Sequence, residues 1–466
     1  MKPGVLILFL LLLVSCERRQ ETPGSFWLRD AREAFARSAR SGKPLFLYFS
    51  ARWCSWCRVY EEVLGSEEVR SALSLHFTPL LLDADRNRDL FVRFGGRGTP
   101  FTVVLDPRGK VLFRFHGAVG EEDLLGILNL ILEGGVTVSP EGETVVLERI
   151  DRETYRELLE RFLLDLEVRY DPLLGGFSSP SLGGSSFKWT TPLTYTFLLE
   201  KGKLVEEVLF SLRKDLELLY DEVDGGFFNF YDRTRAFDFY FETSKSLSVN
   251  ALMLTALLRA YETTADPLFL EKALGTHRYL RKVLYHRESG CFLNAQISDP
   301  SYYALPPPKR KLRTPPPPDT ALIVEYNAKA IYALLELHRF LGDEEILKTA
   351  SRCLKFIETR LRGEEGIYRY YDVESGSRGV LNFERDVAFL SLALLRMGRE
   401  REALELLESA EGWEDPVARG TALFVLSRLD RRKALRLLKG TRVNLHYQNP
   451  DDLVFLLKAL ERLVNG

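Results

Sequence analysis

The sequence CSWC at residues 54–57 most constrains the fold, because it lies between an apolar run and a helical segment. Residues 44–49, PLFLYF, have the composition of a buried strand, and residues 59–73 show helical periodicity. A cysteine at a helix N-terminus meets unpaired backbone N–H groups and the positive end of the helix dipole, which favour the thiolate. We therefore predict that Cys54 is a nucleophile and that Cys57, one turn later, resolves a mixed disulfide.

Three other interpretations of this motif remain. A zinc site usually needs two further ligands, and His76 and His116 stand alone in the sequence, so we expect no metal and no cofactor. A purely structural disulfide between Cys54 and Cys57 would close a small loop and constrain little chain. A redox site that has lost its activity is the third alternative.

The elements around the motif have the order β-α-β, a connecting helix, then β-β-α, which resembles the thioredoxin fold. Strands are predicted at 44–49, 77–82, 101–105 and 111–115, and helices at 31–40, 59–73, 88–94 and 121–132. In thioredoxin-like proteins a Thr-Pro bond before the third strand is cis and presents backbone to an extended substrate opposite the dithiol. The resemblance implies that Thr99 and Pro100, with Trp53, position the partner chain.

The first sixteen residues, MKPGVLILFLLLLVSC, are typical of a secretory leader. Its apolar run, residues 5–14, is too short to span a bilayer as a mature helix. Cys16 directly follows a small residue, as in a bacterial lipobox, so we expect cleavage before Cys16 and lipid on its sulfur; a plain secretory signal is the alternative. Residues 17–25 are then a linker. The expected protein is a lipoprotein of the cell envelope, anchored to a membrane and facing outside the cytosol.

A second domain follows a polar linker at 136–150 and occupies 151–466. Amphipathic runs alternate there with glycine-rich loops that end in an aromatic residue, such as DEVDGGF at 221–227. This pattern predicts an all-α toroid of the (α/α)6 type, and a solenoid of helix pairs is the alternative. Cys353 lies in a helical pattern, far from Cys291 in sequence, and is predicted to be a small buried hydrophobe.

The whole chain resembles a family that joins a thioredoxin-like domain with a WCxWC motif to a six-hairpin helical barrel, as in a spermatogenesis-associated protein with a thioredoxin domain. The motif is intact here as WCSWC at 53–57, although members usually have histidine in place of Ser55 and Arg58. Other family signatures are matched only in part, at residues 240–242 with Lys245 displaced, at 313–319, at Asn327 and at 386–389. The resemblance therefore implies the architecture more firmly than it implies a substrate.

The helical domain carries acidic residues that would suit sugar chemistry, because six-hairpin barrels often process sugars with paired carboxylates. The candidate cleft residues are Asp224, Glu242, Asp319, Asn327 and Asp386, with Glu325 as a further carboxylate. The proline-rich segment 305–318, with its basic centre, is predicted to be an exposed loop or lid.

Three functions are compatible with these patterns. The leading one is a cell-envelope thiol–disulfide oxidoreductase whose barrel selects a protein partner. The second is a carbohydrate-binding or carbohydrate-processing barrel with an accessory thioredoxin-like domain, in which a sugar or a peptide is the ligand, and the third is a non-catalytic scaffold. The 64 basic and 66 acidic residues nearly cancel, so no nucleic-acid partner is expected.

Overall fold

The computed structural model describes residues 26–134, 144–177, 187–232, 242–410, 412–444 and 449–465. Its N-terminal unit is a four-stranded sheet with helices on both faces, in the order β2-β1-β3-β4, with β1 parallel to β2 and antiparallel to β3. The elements are α1 Ala31–Ser41, β1 Leu45–Ser50, α2 Ser55–Leu64, α3 Glu67–His76, β2 Thr78–Asp83, α4 Arg88–Arg93, β3 Phe101–Leu105, β4 Val111–His116 and α5 Glu121–Leu132. This is the predicted order of elements.

Strand β1 is the centre of this unit, and all six of its residues are buried. Successive side chains of a strand point to opposite faces. Leu45 and Leu47 accordingly pack in one core with residues of α1 and α4, and Phe46 and Tyr48 pack in a second core with residues of α2, α3 and α5. The continuous apolar run therefore reflects a sheet that is covered on both sides.

The single helix predicted at 59–73 is wrong in one respect, because two helices occupy this stretch. Helix α2 begins earlier, at Ser55, and ends before Gly65. Ser66 then caps α3, its side chain accepting a hydrogen bond from the backbone N–H of Val69. The early start of α2 puts Cys54 at the N-cap position.

The remainder of the described chain is a helical toroid decorated with short strands. Its helices are α6 Arg152–Arg169, α7 Pro192–Lys201, α8 Val205–Leu218, α9 Leu247–Thr264, α10 Pro267–Tyr279, α11 Pro300–Tyr303, α12 Pro307–Arg310, α13 Val324–Leu341, α14 Glu344–Phe356, α15 Glu384–Arg396, α16 Glu400–Glu408, α17 Pro416–Leu429, α18 Arg431–Leu438 and α19 Asp451–Asn465. Its strands are β5 Thr144–Leu147, β6 Phe187–Lys188, β7 Tyr231–Asp232, β8 Lys245–Ser246, β9 Tyr285–His286, β10 Cys291–Phe292, β11 Ala295–Gln296, β12 Ala321–Ile323, β13 Arg362–Gly363, β14 Gly366–Asp372, β15 Arg378–Leu381 and β16 Thr441–Asn444. Strand β5, which lies in the segment predicted as a linker, pairs with β16 near the other end of the chain.

Six helices form a closed inner ring, in which α7, α9, α13, α15, α17 and α19 pack in succession and α19 returns to α7. The outer helices α8, α10, α14, α16 and α18 each pack on the inner helix that precedes them, and α6 packs on α19. The ring closure confirms the toroid and excludes the open solenoid. No helix in the described residues is both long enough and apolar enough to cross a bilayer.

Helix α7 was missed in the sequence because it shows no amphipathic face. Eight consecutive residues, from Pro192 to Leu199, are buried. An inner helix has neighbours on every side, so its buried positions do not recur with a helical period. Proline at its first position and Gly202 in a left-handed conformation at its end delimit it.

The glycine-rich loops are turns that bring an aromatic residue under the next inner helix. Gly226 has φ 78°, and an added Cβ there would lie 2.6 Å from the ring of Tyr279. An asparagine side chain holds the backbone of the aromatic residue. The side chain of Asn250 accepts from the N–H of Phe227 at 2.7 Å and donates to the carbonyl of Phe227 at 3.0 Å. Asn327 makes the same pair of bonds with Phe292, at 2.8 and 2.9 Å. Asn327 therefore holds a turn, a role that the cleft hypothesis did not foresee.

A disulfide joins Cys291 in β10 to Cys353 in α14, across a separation of 62 residues. Cys353 is fully buried, as predicted, but it is half of a disulfide and not the simple small hydrophobe that the sequence indicated. Sequence spacing did not reveal the pair, because only the packing of α14 on the β10 turn brings the two cysteines together.

Candidate redox site

The CSWC turn leads from β1 into the first residue of α2. Cys54 is the N-cap residue, and its sulfur accepts a hydrogen bond from the backbone N–H of Cys57 at 3.1 Å. Both cysteines are free thiols, and each is 1% exposed. The sequence-predicted pair thus sits at a helix N-terminus with one sulfur directed at the first helical turn.

The Thr99-Pro100 peptide bond is cis, as the resemblance implied. The Thr99 carbonyl oxygen lies 3.7 Å from the Cys54 sulfur, close enough to accept a weak hydrogen bond from the thiol. The cis loop and the dithiol therefore face each other. Trp53 is held beside them, because its indole N–H donates to Asp85 at 2.8 Å.

The electrostatics of Cys54 differ from the sequence-based expectation of a favoured thiolate. Burial raises the pKa of the Cys54 thiol well above its ordinary value, and the hydrogen bond and charge of Cys57 and the charge of Glu242 raise it further, against a lowering by the Thr99 side chain. The helix terminus is present as predicted, but the loss of hydration outweighs its attraction for an anion. In this arrangement Cys54 is a thiol at neutral pH.

The barrel contacts the turn that carries Cys54 through two segments that we call the barrel cover, residues 242–244 and Ser298. Glu242 accepts from the backbone N–H of Ser55 at 2.9 Å. The Ser298 hydroxyl lies 2.5 Å from the Ser55 hydroxyl, and the Ser298 N–H donates to the Trp53 carbonyl at 3.0 Å. Arg58 donates to the Ser298 carbonyl at 2.8 Å. Sequence reasoning missed Ser298, because an isolated serine in an irregular segment carries no motif.

A second contact lies in the loop after β2, where Asp85 enters the barrel. Its carboxylate accepts from Asn294 at 2.9 Å and from the Tyr326 hydroxyl at 2.8 Å, and its backbone carbonyl accepts from Arg369 at 2.6 Å. The same carboxylate holds Trp53. Asp85 therefore connects the tryptophan beside the dithiol to the interior of the toroid. The dense charge of DADRNR at 83–88 was the available signal for this loop.

The barrel carboxylates proposed for a cleft are each engaged by neighbouring groups. Asp319 accepts from Asn294 at 3.0 Å and lies 3.6 Å from Arg52 of the thioredoxin-like unit. Asp386 pairs with the fully buried Arg369 at 2.9 Å, and burial raises its pKa to about 6 against the opposing effect of Arg369. Glu325 approaches the same guanidinium at 3.5 Å. Glu242 reaches the dithiol turn instead of a sugar cleft.

Asp224 belongs to a separate buried cluster under the proline-rich segment. Arg310 pairs with Asp221 at 2.6 Å and also with Asp224, which accepts from the Tyr302 hydroxyl at 3.0 Å. Lys245 completes the cluster at 2.6 Å from Asp221, and burial lowers its pKa to about 8. The segment predicted as an exposed loop therefore inserts one arginine into the barrel, although Leu312 nearby is largely exposed.

Metal and lipid sites complete the predicted set. Among the described residues, no three histidine, cysteine or carboxylate side chains form a group that would hold a metal ion. The predicted lipidation residue, Cys16, lies outside the described residues, as do the leader and the linker at 17–25.

Residues 26–107 match the family model described as thioredoxin-like. The N-terminal unit is a thioredoxin-like domain. Tryparedoxin of Trypanosoma brucei brucei is 27% identical over 110 residues, a match that covers 24% of this chain and 76% of the trypanosome protein.

The longer similarity extends into the barrel. Human spermatogenesis-associated protein 20 is 25% identical over 313 residues, which covers 59% of this chain. The match covers 39% of the human protein, so this chain corresponds to well under half of that relative. The solved structure of a D-mannose isomerase matches 67% of this chain and 97% of its own with a TM-score of 0.51 at 10% identity, which shows the barrel fold alone. The resemblance to a thioredoxin-like domain joined to a six-hairpin barrel is thereby confirmed.

Proposed function

We propose that this protein is a thiol–disulfide oxidoreductase of the cell envelope, in which Cys54 and Cys57 exchange with a disulfide or dithiol of a protein partner. The observation that carries the proposal is the free cysteine pair at the N-terminus of α2 facing the cis Thr99-Pro100 bond. The similarity to tryparedoxin over this domain supports it.

The exchange transfers two electrons in two steps. Cys54 first loses its proton to solvent, and the resulting thiolate attacks one sulfur of a partner disulfide, so that a new S–S bond forms, the partner bond breaks, and the released partner thiolate takes up a proton. The Cys57 thiol then loses its proton and attacks the Cys54 sulfur, and the second partner thiolate that leaves also takes up a proton. The dithiol has become a disulfide and the partner disulfide a dithiol, and the reverse sequence oxidises a partner.

Two features support a location outside the cytosol. Residues 1–16 have the pattern of a lipoprotein leader ending at Cys16. The barrel disulfide Cys291–Cys353 is of a kind that persists mainly in oxidising compartments.

Lipidation can be tested by labelling. Labelled fatty acid should be incorporated by the full chain and not by Cys16→Ala, and equal labelling of both would exclude lipidation at this residue.

Trapping tests the redox function directly. In Cys57→Ala the resolving thiol is absent, so mixed disulfides on Cys54 should accumulate in the envelope and be identified by mass spectrometry. The matched control is the double variant Cys54→Ser and Cys57→Ala, which should trap no partner. Equal amounts of mixed disulfide in the two strains, or none in either together with no exchange by the purified wild type, would refute the proposal.

A second candidate function is carbohydrate binding by the barrel, supported by its fold likeness to D-mannose isomerase. The engagement of Asp319 and Asp386 by neighbouring side chains counts against it. Calorimetric titration with D-mannose separates the two candidates: heat of binding that is lost in Asp386→Asn would favour the barrel function, and absence of heat in the wild type would remove it.

A further inference from the structure

The barrel cover occupies the same helix terminus on which the reactivity of Cys54 depends. Ser55 is the first residue of α2, and its N–H donates to Glu242 at 2.9 Å. Cys57 is the third residue, and its N–H donates to the Cys54 sulfur at 3.1 Å. A carboxylate of the barrel and a sulfur of the dithiol thus share the N–H groups of a single helical turn.

Anions at one helix N-terminus compete with each other. The exposed N–H groups and the helix dipole stabilise a negative charge there, and a second negative charge nearby is disfavoured by repulsion. Both groups are removed from water, since Glu242 is 3% exposed and Cys54 is 1% exposed, so this repulsion is weakly screened. An ionised Glu242 in this position therefore opposes ionisation of Cys54.

Glu242 is held in place by the barrel itself. Its second carboxylate oxygen accepts from the N–H of Ser244 at 3.0 Å. The neighbouring Thr243 N–H donates to the Ser298 hydroxyl at 2.9 Å, which joins the two segments of the barrel cover. The barrel cover therefore approaches the CSWC turn as one hydrogen-bonded unit.

We propose that Glu242 is a switch for the proposed redox activity: while its carboxylate caps α2, Cys54 is covered and kept as a thiol, and release of the barrel cover by a partner exposes and activates it. This inference rests on the proposed function and adds its regulation. The coupling is reciprocal. The free energy by which Glu242 on α2 opposes ionisation of Cys54 equals the free energy by which an ionised Cys54 weakens the contact of Glu242 with α2.

The other groups that face Cys54 do not supply the same control. Cys57 lies on α2, the Thr99 carbonyl belongs to the cis loop, and Tyr48 lies on β1. The charge of Arg58 acts on Glu242, whose pKa is raised by burial and lowered in part by its hydrogen bonds and by Arg58. Of these groups Glu242 belongs to the barrel. Release of the barrel cover therefore moves Glu242 away from Cys54 and leaves the other groups in place.

The test is the alkylation rate of Cys54 in the reduced full chain, measured with iodoacetamide as a function of pH and read by peptide mass spectrometry. Glu242→Gln removes the charge and replaces one carboxylate oxygen with an NH2 group, so one of the two bonds that the separate oxygens accept from Ser55 and Ser244 is lost. We expect the apparent pKa of Cys54 to fall by about one unit and its rate at neutral pH to rise roughly tenfold. The matched control is Glu222→Gln, because Glu222 is an exposed barrel carboxylate paired with Lys272 at 2.6 Å.

A second variant protects the test against a folding defect. Ser298→Ala removes the hydroxyl that meets Ser55 and Thr243 without changing any charge, so alkylation should accelerate about threefold or more at every pH because the cover opens more often. A rate within twofold of wild type and an unchanged apparent pKa for Glu242→Gln, or a rate within twofold of wild type for Ser298→Ala if the first variant does not fold, would overturn the switch.

The two proposals fail in distinguishable ways. Wild-type exchange activity with no response to Glu242→Gln would overturn the switch and leave the redox function standing. A tenfold response in alkylation, with no disulfide exchange by the wild type or by either variant, would support the control of Cys54 by Glu242 and refute the redox function.

Discussion

The two cysteine pairs of this protein are both buried, yet they are set up for different chemistry. Cys54 and Cys57 lie one helical turn apart, remain free and face the cis Thr99-Pro100 bond. Cys291 and Cys353 are 62 residues apart and form a disulfide between a turn and an outer helix. The first pair can form and break a disulfide within one helical turn, whereas the second pair cross-links the barrel.

The difference shows that burial alone does not identify a structural cysteine. The turn that carries Cys54 is contacted by polar groups of another domain through hydrogen bonds to Ser55, and relative motion of the domains is expected across a polar interface of this kind. Cys353 is enclosed by α14, α13 and the β10 turn, which belong to the main core of the toroid. Access to the second pair would require the barrel to open.

The largest expected contrast is in disulfide exchange. Cys57→Ser should lower the multiple-turnover exchange rate by about 100-fold or more, because no thiol is left to resolve the mixed disulfide. The double variant Cys291→Ser and Cys353→Ser should exchange within about twofold of wild type at a temperature where it stays folded. Reduction of a glutathione-based fluorescent disulfide measures both. A comparable loss in the barrel variant would break the division of roles between the pairs.

For the free energy of unfolding the ranking of the two cysteine pairs should be reversed, with the larger effect at Cys291 and Cys353. Removal of the Cys291–Cys353 disulfide should lower the free energy of unfolding of the barrel by roughly 2 to 4 kcal/mol, since the unfolded chain gains the freedom of a long loop. Cys57→Ser, which removes no cross-link, should change it by less than about 1 kcal/mol. Urea denaturation followed by circular dichroism gives both values, and an unchanged midpoint for the barrel double variant would contradict a stabilising role.

A smaller effect is expected at the hydrogen bond that holds the dithiol turn. Trp53→Phe keeps an aromatic ring but removes the N–H that donates to Asp85 at 2.8 Å, and it should cost about 1 kcal/mol. Asp85 keeps its bonds to Asn294 and Tyr326, so the loop should stay in the barrel. The urea midpoint measures the change. A loss as large as that from removing the disulfide would show that the two domains depend on this turn for their stability.

Much of the thioredoxin-like domain was predictable because its signals are local. An apolar run, a cysteine at the start of a helix and a Thr-Pro dipeptide each act within a few residues, and β3 and α5 have the bounds that the sequence predicted. The break at Gly65 and Ser66 was missed, since helical periodicity continues through it. Helix α7 was missed because a helix surrounded by core residues loses its period.

The barrel residues were proposed as candidates for a sugar cleft, and the structure shows which groups surround them. Glu242, expected in a sugar cleft, caps α2 of the other domain, and Asn327 brackets a turn. Both assignments depend on which segments meet across the fold. A sequence pattern indicates that a position is polar, but it does not identify the group that pairs with that residue in the fold.

By itself the sequence determined the two domain types and the position of the dithiol at a helix start, because these follow from the period of apolar residues and from local backbone chemistry. The cis loop opposite the dithiol was implied by the resemblance to thioredoxin-like proteins. The tertiary structure alone decided that Cys291 bonds Cys353, that the toroid closes through α19 and α7, and that the barrel cover caps the helix that begins after Cys54. The physical reason is that solvation sets the charge of a thiol, and solvation is decided by whatever packs against it. The helix start favours a thiolate at Cys54, and the burial of the thiol, together with the charge of Glu242, overrides that preference.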